Sequence, residues 1–189
     1  MTKHIIIAGV PRAGKSTVSQ MLAKKFGYQH ISMDSIIAGF EKAFPQVGID
    51  TDADMDVKEN VKSISAKIAP FLRAMMDSGE YDECDYGMVI DVFQLLPEDY
   101  RKHIDSTVCE IYYFVTSDVT AEERFEMLKK YDTPKDYTYY KPDKENRKGC
   151  AEIVEISKFY RGQCERYELP CYETARDREK VIENFVDSL

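Results

Sequence analysis

The 189-residue chain has no tryptophan, and its five cysteines form no C-x-x-C pair. They are odd in number, and the three histidines complete no zinc-ligand spacing with them. The sequence therefore predicts neither a disulfide framework nor a zinc site. We expect scattered, reduced thiols, as in a cytoplasmic protein.

Long apolar runs are also missing. The run Ile5-Ile6-Ile7 near the start is too short for the apolar region of a signal peptide. No segment approaches the ~20 consecutive apolar residues that a membrane-spanning helix needs. We expect a cytoplasmic location and no membrane partner.

Positive charge is not in excess. Twenty-six lysines and arginines stand against 34 aspartates and glutamates, which gives a formal net charge of -8. Nucleic acids and anionic membranes both favour clustered positive charge, so this balance argues against them as partners. The length and the 43% hydrophobic content suit a single globular domain over residues 1–189.

Apolar runs alternate with helical patterns along the chain. The run Ile5-Ile6-Ile7-Ala8 predicts a strand buried on both faces, and a helix with Val18, Met21 and Leu22 on one face follows from Lys15. Further strands are predicted over residues 28–33, 87–91, 109–115 and 170–174. Strands alternating with helices indicate βαβ units, and hence an α/β fold with a parallel sheet and helices on both faces.

A phosphate-binding motif follows the first strand. Residues 9–17, Gly-Val-Pro-Arg-Ala-Gly-Lys-Ser-Thr, fit the P-loop pattern G-x-x-x-x-G-K-S/T at every required position. The backbone N–H groups and the N-terminus of the next helix are expected to hold the phosphates of ATP. Lys15 is expected to reach the outer phosphates, and the Ser16 hydroxyl to bind Mg²⁺. The predicted nucleotide-binding residues are Gly9, Arg12, Ala13, Gly14, Lys15, Ser16 and Thr17.

Arg12 has two interpretations. It either approaches a phosphate or is solvated at the tip of the loop. The sequence does not separate them.

Two carboxylates are predicted at strand ends on the P-loop side of the sheet. Asp34 follows the second strand and Asp91 ends the third. Ligands of open parallel sheets bind beyond these ends. Asp34 is assigned to the substrate as proton acceptor, and Asp91 to Mg²⁺ or the substrate. The alternative for each is a helix cap or turn aspartate.

A polar stretch from Lys129 to Lys148 lacks periodicity and mixes lysines with tyrosines. One interpretation is a mobile lid that closes over the triphosphate and brings cations to it. A solvated loop is the plain alternative. A third possibility is a grip on single-stranded nucleic acid, since basic residues interleaved with aromatic ones suit that task. We predict the lid, over about residues 129–149, and a helix beyond it from about Ala151 to Tyr167.

The order of these features resembles the nucleoside monophosphate kinase superfamily, which includes the shikimate, gluconate and related small-molecule kinases. This resemblance implies a five-stranded parallel sheet of order 2-3-1-4-5, a helical acceptor insert over about residues 35–85 and a lid. It also implies ATP and Mg²⁺ as donor and cofactor. Arg124 matches the arginine that opens the lid and packs on the donor base. Arg147, and Lys158 or Arg161, fall roughly where the family has its phosphoryl-clamping arginines.

Residues 87–95, Gly-Met-Val-Ile-Asp-Val-Phe-Gln-Leu, are similar to the adenylate kinase segment G-F-L-L-D-G-F-P-R. Leu95 stands where that family has the arginine that holds the acceptor phosphate. This argues against a simple adenylate kinase, so the acceptor is expected to be a nucleoside, a nucleotide or a sugar-like hydroxyl compound. Residues 174–177 resemble the turn that closes around adenine.

Two other functions are open to a chain with this P-loop. A zeta-toxin-like kinase shares the P-loop and an aspartate after the second strand, and would phosphorylate a sugar nucleotide. A non-catalytic regulatory protein, such as a GTPase switch, would need N-K-x-D and D-x-x-G motifs, and neither occurs.

Overall fold

The computed structural model describes residues 3–77 and 87–189. Five parallel strands form one sheet in the order β2-β3-β1-β4-β5, as predicted. The strands are β1 (His4–Gly9), β2 (Gln29–Ser32), β3 (Met88–Val92), β4 (Cys109–Val115) and β5 (Cys171–Glu173). Every residue of β1 is buried. The continuous Ile5–Ala8 run thus belongs to a central strand covered on both faces.

Seven helices of the described residues surround the sheet. They are α1 (Lys15–Phe26), α2 (Met33–Ala43), α3 (Val57–Met76), α4 (Pro97–His103), α5 (Ala121–Tyr131), α6 (Asp143–Arg166) and α7 (Arg178–Ser188). A short 3-10 helix covers Pro45–Val47. Helices α2 and α3 lie between β2 and β3 in sequence, in the predicted insert; residues 78–86 of that insert fall outside the described residues.

Consecutive residues of β4 show that helices cover both faces. The ring of Tyr113 lies 5.8 Å from that of Tyr160 on α6, and Phe114 lies 5.2 Å from Phe185 on α7. Neighbouring residues of a strand point to opposite faces, so α6 and α7 lie on opposite sides of the sheet. All four rings are almost fully buried. Burying such a side chain contributes about 1.5–3 kcal/mol.

Some sequence predictions need correction. Met21 was expected on the buried face of α1 but is 37% exposed. Helix α5 is capped by Thr120, in a reciprocal capping box with Glu123. Helix α4 was not predicted, because its seven residues are too few to show helical periodicity.

The Lys129–Lys148 stretch is also more regular than expected. Lys129 and Lys130 end α5, and α6 begins at Asp143 instead of Ala151, so the connection between the helices is only residues 132–142. The first residues of α6 are mostly charged, so they show no apolar periodicity that would predict a helix.

Of the helices described, none has the length and apolar character to cross a membrane. Cys84 lies outside the described residues, and the other four cysteines have free thiols.

Candidate active site

The P-loop joins β1 to α1 through backbone conformations that suit glycine. Gly9 has φ +126°, and a Cβ there would lie 1.9 Å from the carbonyl oxygen of Phe114. Gly14 has φ +94°, and its Cβ would lie 2.5 Å from Cδ1 of Ile182. Close approach to a backbone atom and the backbone angle both require glycine at position 9, whereas at position 14 the positive φ favours glycine and the Ile182 side chain could move aside.

Helix α1 starts at Lys15 directly after this loop. Within the described chain, its N-terminus has no side-chain cap, and its first turn carries no acidic residue. The first N–H groups of a helix have no partner inside it, so they remain available to an anion. Ser16 and Thr17 are exposed at the same end, as a phosphate or metal site requires.

Lys15 is buried, with 6% exposure, and its Nζ donates to the carbonyl oxygen of Val10 at 3.0 Å. Burial lowers the pKa of Lys15, and the negative charges of Asp34 and Asp91 oppose that shift. The three side chains thus interact at the carboxyl edge of the sheet. This arrangement is the electrostatic centre of the site.

Asp34 lies in the first turn of α2 and not at the end of β2. The N-cap of α2 is Ser32, and Asp34 Oδ1 accepts a hydrogen bond from the backbone N–H of Phe93 at 3.3 Å. The capping interpretation of Asp34 is therefore wrong. Asp34 is exposed as a whole residue, yet its carboxyl group lies close enough to Lys15 and Asp91 to interact with both. Partial burial of the carboxyl group raises its pKa, against the lowering effects of Lys15 and the Phe93 N–H.

Asp91 is a strand residue of β3, one position before its end, and is 1% exposed. Its Oδ2 lies 2.5 Å from Nε2 of His30 on the neighbouring strand β2. The turn or cap interpretation of Asp91 is therefore wrong as well. The sequence offers no spacing that would assign this partner to His30, because the two residues are 61 positions apart and meet only through the pairing of β2 with β3.

Arg124 on α5 connects the P-loop to a large cavity. Its guanidinium donates to the carbonyl oxygen of Pro11 at 2.9 Å and also to the hydroxyl of Thr116. Burial lowers the pKa of Arg124. A cavity of about 530 Å³ is lined by Arg12, Arg124 and residues 174–177, among others. Arg124 and the turn over residues 174–177, both expected around the donor base, thus line the same cavity.

Arg12 is not simply solvated at the tip of the P-loop. Its side chain binds residues of the connection between α5 and α6. Its guanidinium lies 2.5 Å from Asp132 Oδ1 and 2.9 Å from Asp136 Oδ1, and it donates to the Thr138 hydroxyl at 2.9 Å. Asn146 on α6 in turn donates to the Thr138 carbonyl oxygen at 2.9 Å. The connection over residues 132–142 is thus docked on the P-loop through carboxylates, whereas lysines were expected to face it.

The remaining cations of the prediction lie elsewhere. Arg147 pairs with Glu122 and stacks on the Phe125 ring at 3.9 Å, on the outside of α5. Arg161 lies 2.6 Å from Glu173 at the end of β5. Lys158 is exposed on α6. The structure therefore brings Lys15, Asp34, Asp91 and Arg124 around the P-loop but does not bring Arg147 among them.

Leu95 is fully buried in the core. The segment around it is fixed by hydrogen bonds from Tyr160 to the Phe93 carbonyl oxygen (2.5 Å), from Tyr113 to the Leu95 carbonyl oxygen (3.2 Å), and from the Leu96 N–H to Ser65 Oγ (2.9 Å). The position that holds the acceptor arginine in adenylate kinases is here part of the core.

No protein-family model matches the sequence. The fold is similar to that of a sugar kinase from Janibacter sp. HTCC2649, with a TM-score of 0.57, 14% identity and coverage of 99% of this chain and 94% of that one. A shikimate kinase from Bacteroides thetaiotaomicron matches with a TM-score of 0.52 and 15% identity over 98% of this chain and 97% of that one. A gluconokinase from Sinorhizobium meliloti 1021 matches with a TM-score of 0.51 and 14% identity, over 98% of this chain and 90% of that one. The chain thus has the P-loop kinase-like fold that its motifs resemble.

Proposed function

We propose that this chain is a kinase that transfers the γ-phosphoryl group of ATP to a hydroxyl group of a small molecule. The acceptor is a nucleoside, a nucleotide or a sugar-like compound. One observation carries the proposal: the ammonium group of Lys15 is buried, donates to the Val10 carbonyl oxygen of the P-loop, and interacts electrostatically with the carboxylates of Asp34 and Asp91. A cation, a phosphate cradle and two carboxylates at one sheet edge are what phosphoryl transfer needs.

The donor half of the reaction rests on the P-loop. Its glycines leave the backbone free to approach phosphate, and the uncapped start of α1 offers N–H groups. Lys15 supplies positive charge to the outer phosphates. The cavity beside Arg124 is large enough for a nucleoside and continues from the P-loop through Arg12.

The magnesium half rests on two oxygen ligands of the kind that this ion prefers. Ser16 is exposed at the start of α1, and Asp91 lies on the adjacent strand edge. These residues would hold the ion, which supplies charge neutralisation to the β- and γ-phosphates. Lys15, the lysine of the P-loop, would hold the outer phosphates of the nucleotide.

The acceptor half rests on Asp34. Its carboxylate interacts with Lys15 and is held by the Phe93 N–H, which leaves a second oxygen for the substrate. In the proposed step the acceptor oxygen bonds to the γ-phosphorus, the bond to the β-phosphate oxygen breaks, and the hydroxyl proton passes to Asp34. Since Leu95 is buried, nothing at that position favours an acceptor phosphate.

The proposal treats the chain as one kinase domain, in which α2 and α3 belong to the acceptor insert and residues 132–142 to the lid. The docking of this connection on Arg12 supports a role as lid. Arg147 would act as a clamp only after a movement of α5 or α6, since its present partner is Glu122.

A coupled ADP-release assay across nucleosides, nucleoside monophosphates and sugars tests the proposal. ADP release that requires one acceptor class and disappears in Lys15→Met is the expected result. Tight ATP binding without release for any acceptor would support the regulatory alternative. Release with a nucleotide sugar alone, together with growth arrest on expression, would support the zeta-toxin-like alternative.

A further inference from the structure

The contact between His30 and Asp91 lies inside the proposed site but has no part in its chemistry so far. Nε2 of His30 and Oδ2 of Asp91 are 2.5 Å apart. With Asp91 as a carboxylate its oxygens can only accept hydrogen bonds, so Nε2 of His30 is the donor in that state. The contact joins β2 to β3 through side chains, in addition to the backbone pairing of the two strands.

Burial makes this contact consequential for Asp91. Its side chain is 2% exposed, while that of His30 is 25% exposed. A buried carboxylate without donors is strongly disfavoured, and here His30 satisfies one of its two oxygens. The His30 contact occupies one lone pair of Oδ2 and leaves Oδ1 to another partner.

We propose that His30 is a positioning residue of the phosphoryl-transfer site. Its Nε2–H fixes the carboxylate of Asp91 through Oδ2, so that Oδ1 alone binds magnesium or a water ligand of magnesium. The inference rests on the proposed function, because it concerns the proposed site for magnesium and ATP. Mutation of a residue that orients a metal-binding side chain typically lowers metal affinity or activity by about 10- to 100-fold.

The test compares two substitutions of His30 with a matched control. His30→Leu removes the donor at similar volume, whereas His30→Gln keeps an N–H donor at similar reach. His103→Leu on α4 is the control for losing a histidine elsewhere. We expect His30→Leu to lower kcat about 10-fold and to weaken ATP affinity about 10-fold in Mg²⁺ but not in EDTA. His30→Gln restores most of both, and His103→Leu changes neither.

Asp91→Asn provides the second arm. If His30 acts through Asp91, His30→Leu adds no further loss to the Asp91→Asn variant. Nuclear magnetic resonance of the protein without ligand tests the contact itself. We expect Asp91→Asn to shift the ring signals of His30 and to leave those of His103 in place.

Each negative result is distinct. An equal loss of ATP affinity with and without Mg²⁺, an equal loss in the Asp91→Asn background, or no rescue by His30→Gln overturns the positioning role and leaves the kinase proposal standing. Unmoved His30 signals in Asp91→Asn do the same. A wild-type protein that binds no nucleotide overturns the proposed function, and the inference with it. If ATP binds but no acceptor is found, the comparison of ATP affinity in Mg²⁺ and EDTA decides.

Discussion

At the scale of single residues, Lys15 combines two opposed requirements. Burial disfavours its charge and lowers its pKa, whereas phosphate binding needs that charge. The nearby carboxylates only partly offset the effect of burial. Burying the Lys15 charge therefore lowers the free energy of unfolding at neutral pH, while it keeps the charge in place for phosphate.

Replacing Lys15 by methionine is therefore expected to lower phosphoryl transfer by about 100-fold or more and to raise stability at neutral pH. The sign follows from proton linkage. The folded pKa lies below the unfolded value of about 10.4, so between the two the unfolded state binds more protons and the wild type gains stability as pH rises. The advantage of Lys15→Met over wild type should shrink as pH approaches that value. Urea unfolding at several pH values measures it.

Lys24→Met, on the exposed face of the same helix, is the matched control. It should leave turnover and stability nearly unchanged. Normal turnover in Lys15→Met would contradict the P-loop chemistry, and a Lys15→Met advantage that grows with pH would contradict the electrostatic account.

Asp34→Asn tests the proton acceptor. We expect kcat to fall by about 100-fold, the usual scale for losing a general base, with ATP affinity unchanged. Burial raises the pKa of Asp34, so the wild-type rate should rise with pH through a midpoint above the ordinary aspartate value of about 3.9. The variant should lack this rise. Asp52→Asn, on the exposed part of the insert, is the control, and an unchanged kcat in Asp34→Asn would leave only the Phe93 contact to this side chain.

At the scale of elements, the connection between α5 and α6 is held to the P-loop mainly by Arg12. Its hydrogen bonds reach Asp132, which is nearly buried, and Thr138, which Asn146 also holds. A solvated loop would not show such fixed partners. Arg12 also lines the cavity beside Arg124.

Arg12→Ala should release this connection. Losing hydrogen bonds to a charged group lowers the opening free energy by about 1.5 kcal/mol, so proteolysis between Lys129 and Lys148 should become about 10-fold faster. Arg101→Ala, which removes an arginine bound to the Tyr167 carbonyl oxygen, should leave that cleavage rate unchanged. A bisubstrate ligand should suppress cutting in the wild type. Equal cutting with and without ligand would reduce the connection to an ordinary loop.

The sequence predicted elements well where the signal is local. The apolar runs of β1 and β4 and the P-loop spacing are read within ten residues, and the strand order followed from the family resemblance. Longer-range features were missed. The partners of Arg12 lie about 120 positions further along the chain, and His30 gains its role only because β2 pairs with β3. Side-chain neighbours across elements leave no spacing to detect.

At the scale of the whole molecule, Gly9 lies at the end of the central strand β1, where it packs closely against β4. It pairs in register with Phe114, whose carbonyl oxygen fills the space that a side chain would need. Gly9→Ala should lower the free energy of unfolding by about 3 kcal/mol or more, through strain at φ +126° and the displaced strand.

Gly149→Ala is the matched control for this prediction. Gly149 lies inside α6 with no atom within 4 Å of the added Cβ, so alanine should stabilise the protein by about 0.5–1 kcal/mol. Denaturant unfolding of both variants gives the comparison. A Gly9→Ala protein as stable as wild type would show that β1 and β4 can move apart freely.

The central place of β1 also has a consequence for how the chain acquires its structure. Ile5 pairs with Val89 and His4 with Cys109, so β1 is synthesised before both of its neighbours and meets them only more than 80 residues later. Until then, Ile5, Ile6 and Ile7 have no sheet to join. Such distant pairing slows folding and leaves an apolar strand exposed to aggregation. We expect a newly made chain to depend on chaperones until β4 has emerged.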